Sequence, residues 1–429
     1  MEGAGTPLNA QSARLPGHEA PAEGAPFDLV VADASWSWTE RLFTPMSSQG
    51  VNVLLLRISD WRTALEQRRP WSDWRFPRSQ PGPHLWRQTL ILPPGWMKTY
   101  PRLGMKPIAW SIRAWRRSLP AQRPLVLAIS YPHYLHLSPL VQPASLVYYN
   151  MDDYALYWPQ HAGVVRALER QVVQQADLSV FCAKLRAEKI GRELPQAADR
   201  IIHLPHGAPE ESIAPEPVEL PAAPPPDLDC LPRPYLGFVG SLEDRLDWPL
   251  LERLARERPE SSMILIGRRP AFATVDWYKS FERVERLPNV HLLGWKSQQE
   301  IGRYMAAFDV CLIPYRTDHP FNEAACPTKI MDYMATTRPV VATALPECRL
   351  YSHLFRIAAD SDAFLRAIDE ILKNGSRDEL ARARWEFARH STWGKTSDRL
   401  REMIAERLPG NEGRFKKPHA ETRRRGEEE

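Results

Sequence analysis

Residues 325–343 read ACPTKIMDYMATTRPVVAT, with a proline, a threonine and a lysine at the start of a predicted helix. Proline is favoured at a first helical position, because its missing N–H would be unpaired there anyway. The free N–H groups of a first turn attract an anion, and Lys329 adds a full positive charge. Asp332 and Tyr333 follow on the same helix face, where a carboxylate can bind a ribose diol. The stretch predicts a phosphate site, with a surface ion pair between Lys329 and Asp332 as the alternative.

Two neighbouring stretches also suit a nucleotide. In residues 237–248, GFVGSLEDRLDW, a strand ends in Gly240 and Ser241 before a charged loop and a helix. Glycine permits close approach of the backbone, and Arg245 can bind a phosphate through two parallel hydrogen bonds. In residues 265–270, LIGRRP, a strand end could receive a base. A tight turn and an ordinary basic loop are the respective alternatives.

Short apolar runs alternate with helical patterns along most of the chain, which favours buried parallel strands. The first series comprises residues 27–33, 51–56, 124–130, 145–150, 178–183 and 200–205, and the second comprises 235–240, 262–267, 290–295, 310–315 and 339–343. The proline-dense segment 214–234 separates them. The predicted fold class is α/β, with two Rossmann-like parallel-sheet domains at residues 27–213 and 235–384 that face an interdomain cleft.

The composition bounds the functional class. With 429 residues and a net charge of +4, the chain is large enough for two domains and is not an electrostatic nucleic-acid binder. No apolar run approaches the roughly 20 residues of a membrane span. The ends, 1–26 and 410–429, are poor in apolar residues and are expected to be disordered. Five scattered cysteines are typical of reduced thiols, and we expect a cytoplasmic protein.

Residues 57–117 contain 11 Arg and 2 Lys against 3 acidic residues, together with seven tryptophans. Basic residues interleaved with tryptophan suit an anionic membrane surface or stacking on sugar rings. The hypothesis is that this region docks the protein peripherally at the inner membrane face, near a lipid-linked acceptor. Ordinary packing of an irregular insertion is the alternative.

Taken in order, several segments resemble the group 1 glycosyltransferase family, whose fold is GT-B. In the second half they are GFVGSLEDRLDWPLL, LIG, LPNVHLLGWKSQQEIGRYMAAFDVCLIPY and CPTKIMDYMATTRPVVAT. The first half is similar through residues 146–157, 168–190 and 201–208. Residues 385–409 resemble the terminal helix that crosses back to the first domain. The chain looks closest to bacterial members that make surface polysaccharides.

The resemblance implies roles for individual residues. The donor diphosphate would contact Gly240, Ser241, Arg245, Pro327, Thr328 and Lys329. Asp332 occupies the family's ribose-binding acid, which is usually glutamate. Many retaining members carry a second glutamate eight positions earlier. Ala324 stands there in this chain, so the neighbouring Glu323 is the candidate contact for the transferred sugar.

Glycosyl transfer requires a leaving diphosphate and an acceptor hydroxyl that loses its proton. Arg245, Lys329 and a helix terminus would stabilise the diphosphate, so no cofactor and no obligatory metal are expected. Asp152 and Asp153 follow a first-domain strand, and one of them could bind the acceptor or act as a base while the other caps a helix. The resemblance makes Asp152 the better candidate, because relatives often have a histidine at its position, and it implies His206 as a secondary one. The histidines of SYPHYLHLS, His133 and His136, could also touch acceptor or sugar.

The leading hypothesis is transfer of a sugar from a UDP- or GDP-linked donor to a glycan or lipid-linked acceptor, without a nucleic-acid partner. The resemblance also suggests retention of the anomeric configuration. A nucleotide-sugar epimerase is the enzymatic alternative, since epimerases also use paired Rossmann domains. A catalytically inactive nucleotide-sugar-binding scaffold is the other, because Asp332 replaces the usual glutamate and Ala324 replaces the upstream one.

Overall fold

The structure is a computed structural model that describes residues 27–97, 99–217 and 221–409. The expected disordered ends, 1–26 and 410–429, lie outside the described residues. The described chain forms two β-sheets with helices packed on them, and the GT-B fold predicted from the sequence is confirmed.

The first sheet has eight strands, and all neighbouring pairs are parallel except β3 with β4. They are β1 (Asp28–Ala32), β2 (Asn52–Asp60), β3 (Arg78–Gly82), β4 (Leu85–Leu92), β5 (Leu125–Ile129), β6 (Ser145–Asn150), β7 (Leu178–Phe181) and β8 (Ile201–His203). Their order is β3-β4-β2-β1-β5-β6-β7-β8. Successive side chains of a strand point to opposite faces, so Val30 packs in the core on one face while Leu29 and Val31 pack on the other.

The second sheet has six parallel strands in the order β11-β10-β9-β12-β13-β14. They are β9 (Tyr235–Val239), β10 (Ser262–Ile266), β11 (Val290–Leu292), β12 (Val310–Ile313), β13 (Val340–Thr343) and β14 (Arg356–Ala358). In both sheets the strand order reverses beside the first strand, β1 or β9. Ligands of open α/β sheets bind in the crevice beyond the carboxyl ends of the strands at that reversal.

The helices of the first part of the chain are α1 (Ser37–Phe43), α2 (Trp61–Glu66), α3 (Pro101–Arg117), α4 (Ser138–Val141), α5 (Ala162–Gln175) and α6 (Lys184–Glu193). Those of the second part are α7 (Pro226–Asp229), α8 (Trp248–Glu257), α9 (Asp276–Glu285), α10 (Gln298–Ala307), α11 (Pro320–Ala324), α12 (Lys329–Ala335), α13 (Pro346–Arg349), α14 (Ser361–Lys373), α15 (Ala381–His390) and α16 (Trp393–Glu406). Short 3-10 turns connect several of them.

The basic region 57–117 is more regular than an insertion. It contributes the end of β2, the hairpin of β3 and β4, and the long helix α3. Strand β4 pairs with β2 in parallel from Val53 opposite Leu85 to Asp60 opposite Leu92. The expected irregularity is therefore wrong, whereas ordinary packing is confirmed for Trp96 and Trp115, which are buried in the first-domain core. The sequence pattern of strands β3 and β4 is weak, because β4 is only partly buried and β3 is an exposed edge strand.

The C-terminal segment crosses from the second domain to the first, as the resemblance implied. It forms two helices rather than one, since α16 begins after Thr392, whose hydroxyl accepts a hydrogen bond from the Lys395 N–H. Helix α16 packs on α1 and adds Leu400 and Ile404 to the first-domain core. At the crossing, the Ala208 N–H donates to the Ser391 carbonyl at 2.7 Å. This contact joins the two connections between the domains.

Candidate active site

Two adjoining pockets occupy the cleft between the carboxyl ends of the two sheets. We call the first, of about 600 Å³, the basic pocket; it is lined mainly by the second domain, with Gly240, Arg245, Arg268, Lys329 and Asp332 among its residues. We call the second, of about 1180 Å³, the aromatic pocket; it is lined mainly by the first domain, with Trp36, Trp96, Tyr131 and Tyr157 among its residues. Asp152, Ser241 and Arg245 line both, so the pockets form one continuous cleft.

Lys329 reaches into the basic pocket beside the end of β9. Its Nζ lies 5.4 Å from the ring centroid of Phe238 and 5.5 Å from that of Tyr315, within the range of a cation–π interaction. Gly240 makes room for it, because a Cβ there would lie 2.4 Å from the Lys329 Cε. Gly240 also has a φ of 147°, a conformation that other residues rarely adopt. The backbone therefore favours glycine here, and any larger residue would also displace the end of the Lys329 side chain.

Helix α12 begins at Lys329, two residues later than the predicted start, and Pro327 and Thr328 line the basic pocket in the turn before it. The Tyr333 hydroxyl accepts a hydrogen bond from the Val239 N–H at 3.1 Å, which fixes the helix against the end of β9. Since the helix has only seven residues, we expect its dipole to contribute less than the Lys329 charge.

Asp332 lies one turn after Lys329 and lines the same pocket. Burial raises the pKa of its carboxyl to about 6, against the opposing effects of Lys329 and Arg41. Lys329 and Asp332 both line the basic pocket, and among the described residues they form no salt bridge with each other within 4.0 Å. The alternative of a surface ion pair is therefore wrong. A carboxylate held in this way is free to accept hydrogen bonds from a ligand.

Replacing Asp332 by asparagine is expected to raise the free energy of unfolding by about 1–3 kcal/mol near neutral pH. The folded-state pKa of about 6 is above the ordinary 3.8, so the folded chain is destabilised by ionisation. This cost is complete above the folded pKa and vanishes as the pH falls to 3.8, and asparagine removes it. Chemical denaturation of both proteins at neutral pH and near pH 4 measures the difference.

The wild type and Asp332→Asn must be compared at the same pH, because His206 changes the free energy of unfolding with pH in the opposite direction to Asp332. Burial lowers the pKa of His206 from 6.5 to about 4. The unfolded chain therefore binds a proton more readily than the folded chain between these values, and acidification destabilises the wild-type protein. An Asp332→Asn gain that is equally large near pH 4 would contradict the raised pKa.

Arg245 lies at the junction of the two pockets, on the loop after β9. Its guanidinium carbon is 5.6 Å from the ring centroid of Phe321. The Asn322 side-chain amide donates to the Arg245 carbonyl at 2.9 Å, and the Arg316 N–H does so at the same distance. The loop that carries Ser241 and Arg245 is thus attached to the segment after β12, and the guanidinium remains available to a ligand.

The two adjacent aspartates have different environments. Asp152 lines both pockets, and its Oδ2 accepts a hydrogen bond from the Tyr157 hydroxyl at 2.8 Å. Burial raises the pKa of its carboxyl, while Tyr157 and Arg245 lower it. Asp153 is buried, accepts a hydrogen bond from the Ala155 N–H and pairs with Arg186 at 3.1 Å. Asp152 is therefore the member placed to meet a substrate, and Asp153 has a structural environment.

The remaining predicted residues separate into two groups. His206 is buried and lines the basic pocket, and with a pKa of about 4 it is a neutral imidazole that cannot supply positive charge. Glu323 is exposed on α11 and is not among the described residues that line either pocket. His133 is buried against Tyr131, at a ring-centroid distance of 5.0 Å. His136 also lies outside the described lining of the cleft.

Several residues that line the cleft, Trp295 and Asp33 among them, were not singled out from the sequence. Trp295 lines the basic pocket, as Arg268 does, and is 63% exposed. Asp33 lines the aromatic pocket directly after β1 and has a φ of 68°, uncommon for a residue other than glycine. Asp33 directly follows β1 and Trp295 follows the end of β11 by three residues. Because ligands of α/β sheets bind beyond the carboxyl ends of the strands, these positions were the available signal in the sequence.

The described residues contain no group of three or more His, Cys, Asp or Glu side chains placed to hold a metal ion. Every helix in the described part of the chain is too short or too polar to cross a lipid bilayer. The five cysteines are free, and all except Cys230 are buried.

Comparison with known proteins connects this geometry to a family. Residues 233–374 match the sequence model described as glycosyl transferases group 1. TuaH of Bacillus subtilis (strain 168), a glycosyltransferase assigned to teichuronic acid biosynthesis, is 23% identical over 237 residues, or 54% of this chain. The match spans 57% of the length of that curated relative.

Solved structures match nearly the whole chain at low identity. The Anabaena protein Alr3699/HepE, in complex with UDP and glucose, has a TM-score of 0.62 at 13% identity over 88% of this chain and 99% of that chain. Sucrose-phosphate synthase from Thermosynechococcus elongatus has a TM-score of 0.65 at 14% identity over 88% of this chain and 98% of that chain. The chain therefore has the GT-B fold, and its residues 233–374 are similar to the group 1 glycosyltransferases.

Proposed function

We propose that this chain is a cytoplasmic, retaining glycosyltransferase of polysaccharide biosynthesis. It moves a sugar from a UDP- or GDP-linked donor to a glycan or lipid-linked acceptor. The observation that carries the proposal is the continuous cleft, in which Lys329 and Arg245 bring positive charge next to the carboxylate of Asp152. A group that leaves with negative charge and a hydroxyl that must lose a proton require these two environments side by side.

The donor occupies the basic pocket. The ammonium of Lys329, the guanidinium of Arg245 and the Ser241 hydroxyl bind the diphosphate, and Asp332 accepts hydrogen bonds from the ribose. The base lies between Arg268 and the exposed ring of Trp295, beyond the ends of β10 and β11. The UDP bound to Alr3699/HepE, a protein of the same fold, supports a nucleotide in such a cleft.

The reaction breaks the bond between the anomeric carbon and the diphosphate oxygen, and the acceptor oxygen forms the new bond to that carbon. The nucleoside diphosphate leaves with the electron pair and is stabilised by Lys329 and Arg245. Asp152 holds the acceptor hydroxyl and accepts its proton as a general base. The raised pKa of Asp152 makes its carboxylate a stronger proton acceptor than an exposed aspartate.

The function is tested by measuring nucleoside diphosphate release from UDP- and GDP-sugars, with and without glycan acceptors. A glycosyltransferase releases the diphosphate together with a new glycoside. An epimerase converts the sugar without an acceptor, and an inactive scaffold binds the donor without turnover. A donor that binds should be visible first as a thermal shift, since a hundredfold excess over Kd stabilises by about 2.7 kcal/mol.

Metal independence is part of the proposal, because fixed cations occupy the diphosphate site. We expect activity measured in excess EDTA to stay within about twofold of the untreated enzyme. Addition of Mg²⁺ or Mn²⁺ should then give no large increase. A loss of activity in EDTA that returns with either ion would show that the protein cations are insufficient.

The first domain docks on an anionic membrane through the outward face of α3 and the adjoining tryptophans. On α3, Leu103 and Trp110 are 62% and 65% exposed, and Lys106 and Arg113 are exposed beside them. Trp71, in the 3-10 turn before β3, is 85% exposed. Exposed aromatic and cationic side chains on one side of a domain favour an anionic lipid interface.

The double substitution Trp71→Ser and Trp110→Ser is expected to lower the fraction bound to phosphatidylglycerol vesicles by about tenfold. The reason is that the loss of each ring removes apolar area that the membrane would otherwise bury. Co-sedimentation measures it, with Phe272→Ser as the control: that ring is 74% exposed on the second domain. Binding that is the same on purely zwitterionic vesicles, or unaffected by the double substitution, would contradict the docking surface.

A further inference from the structure

The aromatic pocket presents flat ring surfaces. Trp36 is 51% exposed and stacks on Trp38, with ring centroids 5.2 Å apart and planes within 7°. Across the pocket, Tyr157 from the first domain meets Phe321 from the second at a centroid distance of 4.7 Å. The negative face of an aromatic ring attracts the C–H face of a sugar ring, and burying both removes apolar surface from water. The pocket therefore suits sugar rings.

The charge of the aromatic pocket is acidic. Five carboxylates are among its lining residues: Asp33, Asp60, Asp152, Glu243 and Asp244. Among the described lining residues Arg245 is the only permanently charged cation, and it stands at the border with the basic pocket. The lining imidazole, that of His319, lies 3.5 Å from the Asp244 carboxylate. The interior of the pocket thus holds an excess of negative charge.

Asp33 places one of these carboxylates at the centre of the first-domain crevice. It follows β1, where the strand order of the first sheet reverses. Its φ of 68° is an uncommon conformation for aspartate, and such conformations cluster at ligand sites. A carboxylate there can accept hydrogen bonds from two neighbouring sugar hydroxyls, whereas it repels a second carboxylate.

The basic pocket has the opposite character. Lys329, Arg245 and Arg268 line it, and of these none forms a salt bridge within 4.0 Å among the described residues. The carboxylates of Asp152, Glu243 and Asp332 also line this pocket, so the two pockets differ mainly in their cations. The basic pocket therefore attracts anions, whereas the aromatic pocket, with one arginine against five carboxylates, repels them.

We infer that the acceptor of this enzyme is a glycan of more than one sugar that carries no carboxylate or phosphate on the residues that enter the aromatic pocket. The inference rests on the proposed function, because it names the acceptor class of that cleft. The volume of about 1180 Å³ exceeds the roughly 300–1,000 Å³ of a typical small-molecule site, so the pocket accommodates more than a single ring. Neutral and amine-bearing glycans fit, and uronate-bearing or phosphorylated glycans are excluded.

The test measures glycan binding without a donor, by saturation-transfer NMR and by the intrinsic fluorescence of the pocket tryptophans. The probes are panels of neutral, glucosamine-containing and uronate-containing trisaccharides of matched linkage. We expect at least one neutral or amine-bearing trisaccharide to bind. Its uronate counterpart should bind with an affinity lower by about tenfold or more. Preferential binding of uronate members, or no binding by any panel, overturns the inference.

Variants identify the pocket as the origin of the selectivity. Asp33→Asn is expected to raise the affinity for uronate trisaccharides severalfold relative to that for their neutral counterparts, a change of selectivity that a merely structural role would not produce. Asparagine is the substitution of choice, because it also tolerates a positive φ. Trp36→Ala should weaken binding of the neutral glycans about tenfold. Phe272→Ala is the matched control, because that ring is 74% exposed and is not among the described residues that line either pocket.

Nucleotide binding, measured separately by calorimetry with UDP and GDP, keeps this test distinct from that of the proposed function. A protein that binds a nucleotide and releases it from a donor, yet prefers uronate acceptors, retains the function and loses the acceptor inference. A protein that binds neutral glycans but neither nucleotide loses the proposed function.

Discussion

Replacing Lys329 by alanine is expected to lower kcat/KM for sugar transfer by about 10²–10³-fold. The Lys329 ammonium stands beside the rings of Phe238 and Tyr315 in the basic pocket. It meets the charge that develops on the leaving diphosphate in a partly dehydrated site, where a fixed cation has a larger effect than in water. Steady-state kinetics with the donor identified by thermal shift measure the change.

Lys279→Ala is the matched control for this substitution. Lys279 lies on α9 in an exposed ion pair with Asp276, at 3.1 Å, and is not among the described residues of either pocket. It should retain wild-type kinetics, and both variants should keep the wild-type circular dichroism. If Lys329→Ala keeps its activity, the diphosphate does not bind where we place it.

The largest expected effect on stability comes from Asp378. Its carboxylate receives two hydrogen bonds from Arg384, at 2.6 and 2.9 Å, and both side chains are fully buried. Arg384 also donates to the carbonyls of Thr337 and Leu354. Asp378→Ala leaves a guanidinium buried without its counter-charge, and we expect a loss of about 3–5 kcal/mol in the free energy of unfolding. Urea denaturation followed by circular dichroism measures it.

An exposed pair of the same geometry provides the control. Arg316 donates to both oxygens of Asp318 at 3.0 Å, but the Asp318 side chain is 73% exposed. Asp318→Ala should cost less than about 1 kcal/mol, because water and ions replace the lost partner. Equal losses in the two variants would mean that burial of the Asp378 pair has little energetic consequence.

The buried pair also bears on the active site. Thr337 follows α12 with a φ of 60°, and its carbonyl is held by Arg384. This turn connects the helix of Lys329 to β13. Loosening it in Asp378→Ala should therefore weaken nucleotide binding as well as the fold, while Asp318→Ala should leave nucleotide binding unchanged.

The sequence predicted the sheets well, because strands covered on both faces consist of continuous apolar residues that can be read without tertiary information. The runs around β1, β2, β5 and β9 gave strands where they were expected. Strands β3, β4 and β14 were missed, since they lie at or near the sheet edges and are partly exposed. Their apolar pattern is correspondingly weak.

For the site, the sequence supplied the candidates and the fold selected among them. Asp152 and Asp153 are neighbours with the same side chain, yet one lines the cleft and the other pairs with Arg186. The distinction depends on residues distant in the sequence, as does the room that Gly240 leaves for Lys329. Glu323 was a candidate through its nearness in sequence to Ala324, and it stands on the exposed side of α11.

The sequence by itself determined the two-sheet architecture and the cationic residues at the strand ends, because local apolar patterns and motif spacing are properties of short segments. The tertiary structure decided which charges share a pocket. It placed an excess of acidic residues with the aromatic rings in one pocket and most of the cations in the other. Electrostatic character depends on distances between side chains that the chain brings together only on folding.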